Sequence, residues 1–337
     1  MDIKLSKFTK RNIIYFINNR IKLNNNNILL NYIINEFNNI KKFIKNNYID
    51  IKINIINKTY YNYININNKL YELCIDKWVN KKVMYNKINK MKKIIIISFN
   101  NNNIFIKYDK KINKNILLYK IQIIIYFIEY IKYKYNITKD VLIYLLLTNL
   151  KKKIINNEII NPINVNSGYT DYNKNLIFIW RLEEFEKVIF HEIIHYFNLD
   201  KYDILNFELF NINGIHSYFE AYTDFLAIIY NIIFIGLITK ISIKTILEIE
   251  LAFIKNQALF INNYFKLGSW NSIPNNIIIQ KTPAFSYYIL KYILFNYALN
   301  NDFNKIQEYE DIFKIGIKDD KFINLYSARM ILFNLKN

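Results

Sequence analysis

Residues 186–197, EKVIFHEIIHYF, carry two histidines and a glutamate in a segment whose apolar spacing predicts an α-helix. His191 and His195 are four residues apart, about 40° of helical rotation, so both imidazoles leave one face of that helix. Glu192 is rotated by about 100° from His191 and can reach a water at a metal without being a ligand itself. Zinc binds imidazole nitrogen and keeps one position open for water in catalytic sites. The segment therefore predicts His191 and His195 as zinc ligands and Glu192 as the general base towards that water.

A third ligand has to come from another segment, because an extended motif would need a histidine at position 201, where the sequence has Lys201. Glu220 and Asp224 are four residues apart on a second predicted helix, so their carboxylates share one face. We expect Glu220 to complete a site for one Zn²⁺ per chain and Asp224 to accept the spare N–H of His191. The alternative, a solvated acidic stripe, is disfavoured by the apolar run that starts at Phe225.

The segments around the motif predict an alternation of strands and helices. They comprise a helix over 117–134, strands over 141–148, 163–170 and 176–180, a turn over 171–175, the motif helix over 182–198 and a second helix from about 215. The N-terminal part predicts a helix over 10–46, strands near 50–66 and 93–108, and Asn-rich loops at 24–27 and 100–103. The second of these loops, between apolar runs over 94–97 and 104–108, predicts a hairpin with an Asn-rich turn. All glycines and prolines lie after residue 160, which suggests two domains. We expect an N-terminal domain over 1–112 and a catalytic domain over 113–337, with an upper part (113–200) and a helical lower part (201–337).

The pairing of H-E-x-x-H with a downstream E-x-x-x-D resembles the gluzincin metallopeptidases, the thermolysin and neprilysin group, over residues 141–239. The resemblance implies that His191, His195 and Glu220 bind zinc, that Glu192 is catalytic and that Asp224 supports a ligand. It also implies an α+β, zincin-like fold. Such a fold has a mixed sheet with an antiparallel edge strand, the active-site helix, a second ligand-bearing helix and a helical C-terminal subdomain.

The resemblance further implies that an extended peptide or protein substrate pairs with the backbone of the edge strand. Here that strand would run over residues 165–170, with Asn166, Ser167, Gly168 and Tyr169 as substrate-binding residues. Gly168 either allows a close backbone approach or marks a simple bulge. Single-zinc aminopeptidases of this clan carry a glutamate near the strand, and residues 163–171 contain none, so we expect an endopeptidase.

The donor that stabilises the oxyanion is not fixed by the motif. Thermolysin-like enzymes use a distant histidine, and this chain has no histidine after position 216. His216 lies one turn before Glu220 on the same predicted face, and Tyr287 and Tyr288 lie on a predicted helical segment after Pro283. We take these three residues as catalytic candidates for that donor. A helix-start position for His216 and core packing for both tyrosines are the alternatives.

The chain carries 46 Lys and Arg against 27 Asp and Glu, a formal net charge of +19. Arginine, which bidentate phosphate contacts favour, occurs only at positions 11, 20, 181 and 329. Asn, Ile, Lys, Tyr and Phe share A/T-rich codons, so we attribute the charge to an A/T-rich genome, such as that of a large DNA virus, and expect no nucleic-acid partner. Two alternatives to the peptidase stay open: a catalytically silent, zinc-bound structural or virion protein with a zincin fold, and a basic nucleic-acid-binding protein.

Cysteine usage and hydropathy indicate the cellular compartment of the protein and whether it spans a membrane. Cys74 is the only cysteine, which excludes an intrachain disulfide and a thiolate zinc site. The first residues show no apolar signal region, and the longest apolar run, 225–238, is shorter than the roughly 18 to 20 residues of a membrane span. We therefore expect a cytoplasmic protein, with a viral factory or the virion as narrower options, and no transmembrane span.

Overall fold

The computed structural model describes residues 5–56, 61–155, 158–200, 210–215, 217–268, 276–301, 312–313, 328–333 and 335–336. The helices in these ranges are α1 (Lys7–Asn18), α2 (Ile28–Asn46), α3 (Tyr61–Glu72), α4 (Lys81–Lys90), α5 (Lys114–Lys134), α6 (Pro162–Val165), α7 (Phe185–Tyr196), α8 (Phe219–Thr239), α9 (Ile243–Tyr264) and α10 (Lys291–Ala298). A π-helical turn (Ser286–Leu290) leads directly into α10. The strands are β1 (Ile51–Ile56), β2 (Lys93–Phe99), β3 (Asn102–Tyr108), β4 (Leu142–Thr148), β5 (Gly168–Asp171), β6 (Leu176–Arg181), β7 (Ile212–Gly214) and β8 (Ile278–Gln280).

Six of these strands form one mixed sheet in the order β1-β2-β3-β4-β6-β5. β1, β2 and β3 are antiparallel neighbours, β3, β4 and β6 run parallel, and β5 returns antiparallel to β6 at the edge. Asn100 joins β2 to β3 with a φ of 47°, a left-handed conformation that asparagine tolerates in a tight turn. The predicted mixture of helices and a mixed sheet, and the predicted Asn-rich hairpin, are confirmed.

The chain divides into two compact units, each made of more than one segment. The sheet unit comprises residues 39–152 and 166–199, and the helical unit comprises residues 1–38, 153–165 and 200–336. The predicted boundary at 112/113 does not coincide with this division, because β3 pairs with β4 in register from Asn103–Leu142 to Tyr108–Leu147. Strands more than thirty residues apart pair through tertiary contacts, which the composition along the chain does not reveal. The last segment of the sheet unit ends at Leu199.

The central position of β6 explains why its sequence is almost entirely apolar. Every residue from Leu176 to Arg181 is buried. Phe178 and Trp180 project into a cluster that includes side chains of α3 and α4, whereas Ile179 lies towards Val188 of α7. A strand with helices on both faces has no solvent side, so its sequence reads as a continuous apolar run.

Three local predictions differ from the structure. The predicted helix over 10–46 is two helices, because residues 19–27 leave the helical path before α2. Helix α3 replaces the second half of the strand predicted near 50–66, since Ile66, Leu70 and Leu73 recur at helical spacing and all enter the cluster beneath β6. The strand predicted over 163–170 starts only at Gly168 and follows the short helix α6.

The helical unit is organised by α8 and α9, whose residues are buried along almost their whole length. α8 has 21 residues, and by length and composition alone it is long and apolar enough to cross a membrane. However, 94% of its apolar window is buried inside the protein, as in a core helix. Glu250 of α9 accepts the backbone N–H groups of Leu332 (3.0 and 3.1 Å) and Phe333 (2.6 Å), which attaches the C-terminal segment to this helix.

The buried ion pair between α5 and α7 yields a stability prediction. Lys120 Nζ lies 2.8 Å from Glu186 Oε1, and both side chains are inaccessible to solvent or nearly so. Lys120→Met should lower the free energy of unfolding by about 3 to 5 kcal/mol, because it leaves a buried carboxylate without its cation. The free energy is measured by urea denaturation followed by circular dichroism.

The matched control is Lys69→Met, since Lys69 forms only an exposed pair with Glu72 at 3.7 Å. This variant should lose at most about 1 kcal/mol. Replacing both buried partners, as in Lys120→Met with Glu186→Leu, should recover most of the loss. Equal destabilisation by Lys120→Met and Lys69→Met would contradict the burial argument.

Candidate metal centre

Helix α7, which carries the motif, is anchored at its start by ion pairs. The residue before it, Glu184, has a φ of 61° and makes no side-chain cap. Lys152 Nζ lies 3.2 Å from Glu184 Oε2, and Lys151 Nζ lies 3.1 Å from Glu183 Oε2. With the pair between Lys120 and Glu186, three lysines therefore hold the acidic start of the helix. The sequence contained both charge clusters but no pattern that paired them.

Burial also affects Arg181, the last residue of β6. Its pKa is lowered to about 10 by desolvation, while Glu183 and Glu184 act in the opposite direction. The guanidinium remains protonated at neutral pH, and its Nε donates to the carbonyl of Asn166 at 3.1 Å. This bond ties the end of β6 to the residue two positions before β5.

The two histidines of α7 face each other as the helical spacing predicts. His191 Nε2 and His195 Nε2 are 3.1 Å apart, and the ring planes meet at 81°. Both rings are buried. Two nitrogen ligands at about 2.05 Å from a tetrahedral zinc ion are separated by about 3.3 Å, so the observed distance fits a shared ion. A direct hydrogen bond between one protonated and one unprotonated nitrogen is the other state that this distance allows.

Glu220, the predicted third ligand, lies in the first turn of α8 in the helical unit, whereas His191 and His195 lie in the sheet unit. Two imidazoles and a carboxylate are a donor set that zinc accepts in catalytic sites.

The Glu192 carboxylate lies against the edge strand β5. Thr170 Oγ1 is 2.9 Å from Glu192 Oε2 and 3.0 Å from the Glu192 backbone carbonyl. A Cβ added to Gly168 would lie 3.0 Å from Glu192 Oε1, 2.9 Å from Val188 Cγ1 and 3.1 Å from Ile179 Cγ1. Gly168 therefore allows the Val188 and Glu192 side chains of α7 to approach the strand closely. Sequence reasoning missed Thr170, although alternation along a strand places it on the same face as Gly168.

The other predicted substrate-binding residues occupy different surroundings. Tyr169 points to the opposite face of the sheet, where its hydroxyl donates to the Leu73 carbonyl at 2.9 Å and burial raises its pKa. Its side chain belongs to the core, and its backbone pairs with Phe178 of β6, so the structure does not favour Tyr169 as a substrate-binding residue. The Ser167 hydroxyl is buried, and no partner for it exists among the described residues. Asn166 and Ser167 both precede the strand rather than lying within it.

Asp224, the predicted support for a histidine ligand, has a cationic neighbour that the sequence did not indicate. Lys291 Nζ lies 2.8 Å from Asp224 Oδ2, and neither side chain is exposed. Lys291 is the first residue of α10, 67 positions away, so no local pattern links it to Asp224. The pair fixes the Asp224 carboxylate one turn beyond Glu220 on α8.

The oxyanion candidates differ in their placement. His216 lies outside the described residues. Tyr287 and Tyr288 lie in the π-helical turn and are buried. The Tyr288 hydroxyl donates to the Ala328 carbonyl at 2.7 Å, which favours the packing alternative for this residue.

Comparison with protein-family models, curated proteins and solved structures finds no match to this chain.

The close approach at Gly168 yields the second prediction. Gly168→Ala should lower the free energy of unfolding by about 1 to 3 kcal/mol, because the stiff Val188 side chain and the buried Ile179 must shift to admit the methyl group. Chemical denaturation measures the change.

Ser167→Ala is the control one residue earlier. It removes a buried hydroxyl that has no partner in the described structure, so stability should stay within about 0.5 kcal/mol or rise. A neutral Gly168→Ala would show that α7 does not press on the strand at this point.

Proposed function

We propose that this chain is a zinc-dependent peptidase of the gluzincin type with a zincin-like fold. The observation that carries the proposal is the 3.1 Å separation of the His191 and His195 Nε2 atoms on α7, with Glu192 of the same helix held against the edge strand by Thr170. Glu220 is proposed as the third ligand. The mixed sheet with an antiparallel edge strand beside α7 supports the fold assignment. The proposed cofactor is one Zn²⁺ per chain.

The donor set determines which chemistry such an ion would supply. Imidazole and carboxylate ligands without thiolates suit a zinc ion that retains an open position. When bound, the ion would polarise the scissile carbonyl and make a water molecule nucleophilic near neutral pH. Asp224 is proposed to accept the spare N–H of His191, while Lys291 holds its carboxylate in place.

The edge strand supplies a docking line for an extended peptide. Trp180 N donates to the Ser167 carbonyl at 3.0 Å, so the backbone groups of Ser167, Tyr169 and Asp171 face β6. The backbone groups of Gly168 and Thr170 alternate with them and face the open side, where β5 ends the strand order within the described residues. A substrate strand is proposed to pair there, which refines the predicted docking segment to Gly168 and Thr170.

Glu192 is assigned the proton transfers. Its carboxylate lies beside the same two residues, Gly168 and Thr170, and therefore close to the proposed docking line. It would accept the proton of the attacking water and then donate it to the leaving amine. His216 and Tyr287 remain the proposed donors to the oxyanion. Because residues 163–171 contain no glutamate, an endopeptidase remains the expected class.

The alternatives are weaker on specific grounds. A silent zinc protein has no need of a carboxylate beside the metal ligands, whereas Glu192 is held by a hydrogen bond. A nucleic-acid-binding protein would be expected to use arginine, and two of the four arginines, Arg181 and Arg329, are buried. The proposal keeps a peptide or protein substrate as the partner and the cytoplasm as the location.

The metal assignment predicts that protein purified without chelator carries about one zinc per chain. His195→Ala should lose most of this zinc, because two remaining ligands hold the ion poorly. Inductively coupled plasma mass spectrometry measures the content. The control is Tyr172→Phe, which removes a hydroxyl bonded to the His195 backbone carbonyl at 3.1 Å but leaves the His195 imidazole unchanged. Full zinc content in His195→Ala would refute the assigned ligands.

The catalytic assignment predicts that Glu192→Gln retains zinc but loses peptide cleavage by about 10²- to 10⁴-fold, because the amide preserves the shape and cannot take a proton. Turnover is measured on a broad peptide library, with and without a chelator. The control, Glu72→Gln, changes an exposed glutamate of α3 and should keep full activity. Unchanged turnover in Glu192→Gln would exclude it as the base.

A further inference from the structure

The β5 strand meets Glu192 through two residues on one face. Thr170 Oγ1 reaches Glu192 Oε2 at 2.9 Å, and Gly168 leaves room for Glu192 Oε1, which a Cβ would approach to 3.0 Å. Each carboxylate oxygen is therefore located by a different residue of the same strand. Neither contact follows from the metal-binding motif.

We propose that Thr170 is a positioning residue, whose hydroxyl fixes the Glu192 carboxylate relative to a peptide paired with β5. This inference rests on the proposed peptidase function and adds a determinant of its proton-transfer geometry. Thr170 does not touch the substrate carbonyl or the metal ligands in this assignment. It acts through Glu192 alone.

The donor and acceptor groups of Thr170 and Glu192 determine which of the two residues donates the hydrogen bond. An ionised carboxylate only accepts hydrogen bonds, so the Thr170 hydroxyl must donate to it. The same hydroxyl lies 3.0 Å from the Glu192 backbone carbonyl, so one proton is shared between two acceptors of one residue. The bond therefore selects a Glu192 side-chain rotamer that folds back towards β5, and charge-assisted bonds of this kind are strong enough to hold it.

The alternation of the strand links this contact to substrate docking. The side chain of Thr170 faces Glu192, while its backbone N–H and C=O face the open edge. A peptide paired at that edge and the carboxylate that serves it would be positioned by one residue. Displacement of a general base by a fraction of an ångström is costly for proton transfer, because the donor and acceptor atoms must come within hydrogen-bond distance.

The test compares Thr170→Val, which is nearly isosteric and lacks the hydroxyl, with Thr170→Ser, which keeps it. With zinc-loaded protein and the peptide cleaved best by the wild type, Thr170→Val should lower kcat by about 10- to 100-fold, as expected for the loss of one hydrogen bond to a charged group. KM and zinc content should change by less than about twofold, because pairing at the edge uses the backbone. Thr170→Ser should restore kcat to within about threefold of the wild type.

Thr148→Val is the matched control. Thr148 lies in β4 of the same sheet, and its hydroxyl donates to the Trp180 carbonyl at 2.6 Å, so the change removes a buried hydroxyl bond away from Glu192. It should lower the melting temperature and leave kcat within about twofold. In the Glu192→Gln background, adding Thr170→Val should have no further effect on residual turnover, because the two residues act as one unit.

Different results would overturn the positioning role of Thr170 and the proposed peptidase function. Normal kcat in Thr170→Val, failure of Thr170→Ser to rescue, or a parallel loss of zinc would each overturn the positioning role while leaving the peptidase intact. Additive effects of Thr170→Val and Glu192→Gln would do the same. If zinc-loaded wild-type protein cleaves no peptide in the library, the proposed function fails and the inference fails with it.

Discussion

The packing of α7 against the edge of the sheet is the constraint on which the rest of the site depends. The helix can lie close to β5 only because position 168 has no side chain, and at that distance Glu192 meets Thr170. One glycine thus sets the separation between the helix that carries the histidines and the strand proposed to receive a peptide. A larger residue would move both oxygens of the carboxylate together with the helix.

Charge placement follows the same helix. The acidic residues before and within the first turn of α7 face lysines from α5 and from the segment after β4, and these pairs are largely buried. Buried ion pairs contribute little net stability when complete, yet the loss of one partner is expensive, so they enforce a particular arrangement. Glu184, directly before α7, adopts a left-handed backbone conformation and its side chain does not cap the helix. Its carboxylate pairs with Lys152 instead. The orientation of the helix is therefore specified by residues far from the motif.

The helical unit uses the same device. Asp224 is the only acidic residue on α8 after Glu220, and its buried carboxylate lies 2.8 Å from the Lys291 ammonium. Glu250 holds the C-terminal segment by accepting two backbone N–H groups. Isolated charges on apolar helices thus mark places where distant segments are fixed.

The amino-acid sequence by itself determined the local features. The spacing of His191 and His195, the position of Glu192 and the pairing of Glu220 with Asp224 follow from helical periodicity, which depends only on neighbours in the chain. The hairpin at Asn100 and the short apolar run of β6 follow from short-range patterns in the same way. What only the tertiary structure decided are the contacts between distant segments: Thr170 with Glu192, Lys291 with Asp224, three lysines with the start of α7, and β3 beside β4. The physical reason is that a monotonous Ile, Asn and Lys composition offers many equivalent partners, and only burial and steric fit select among them.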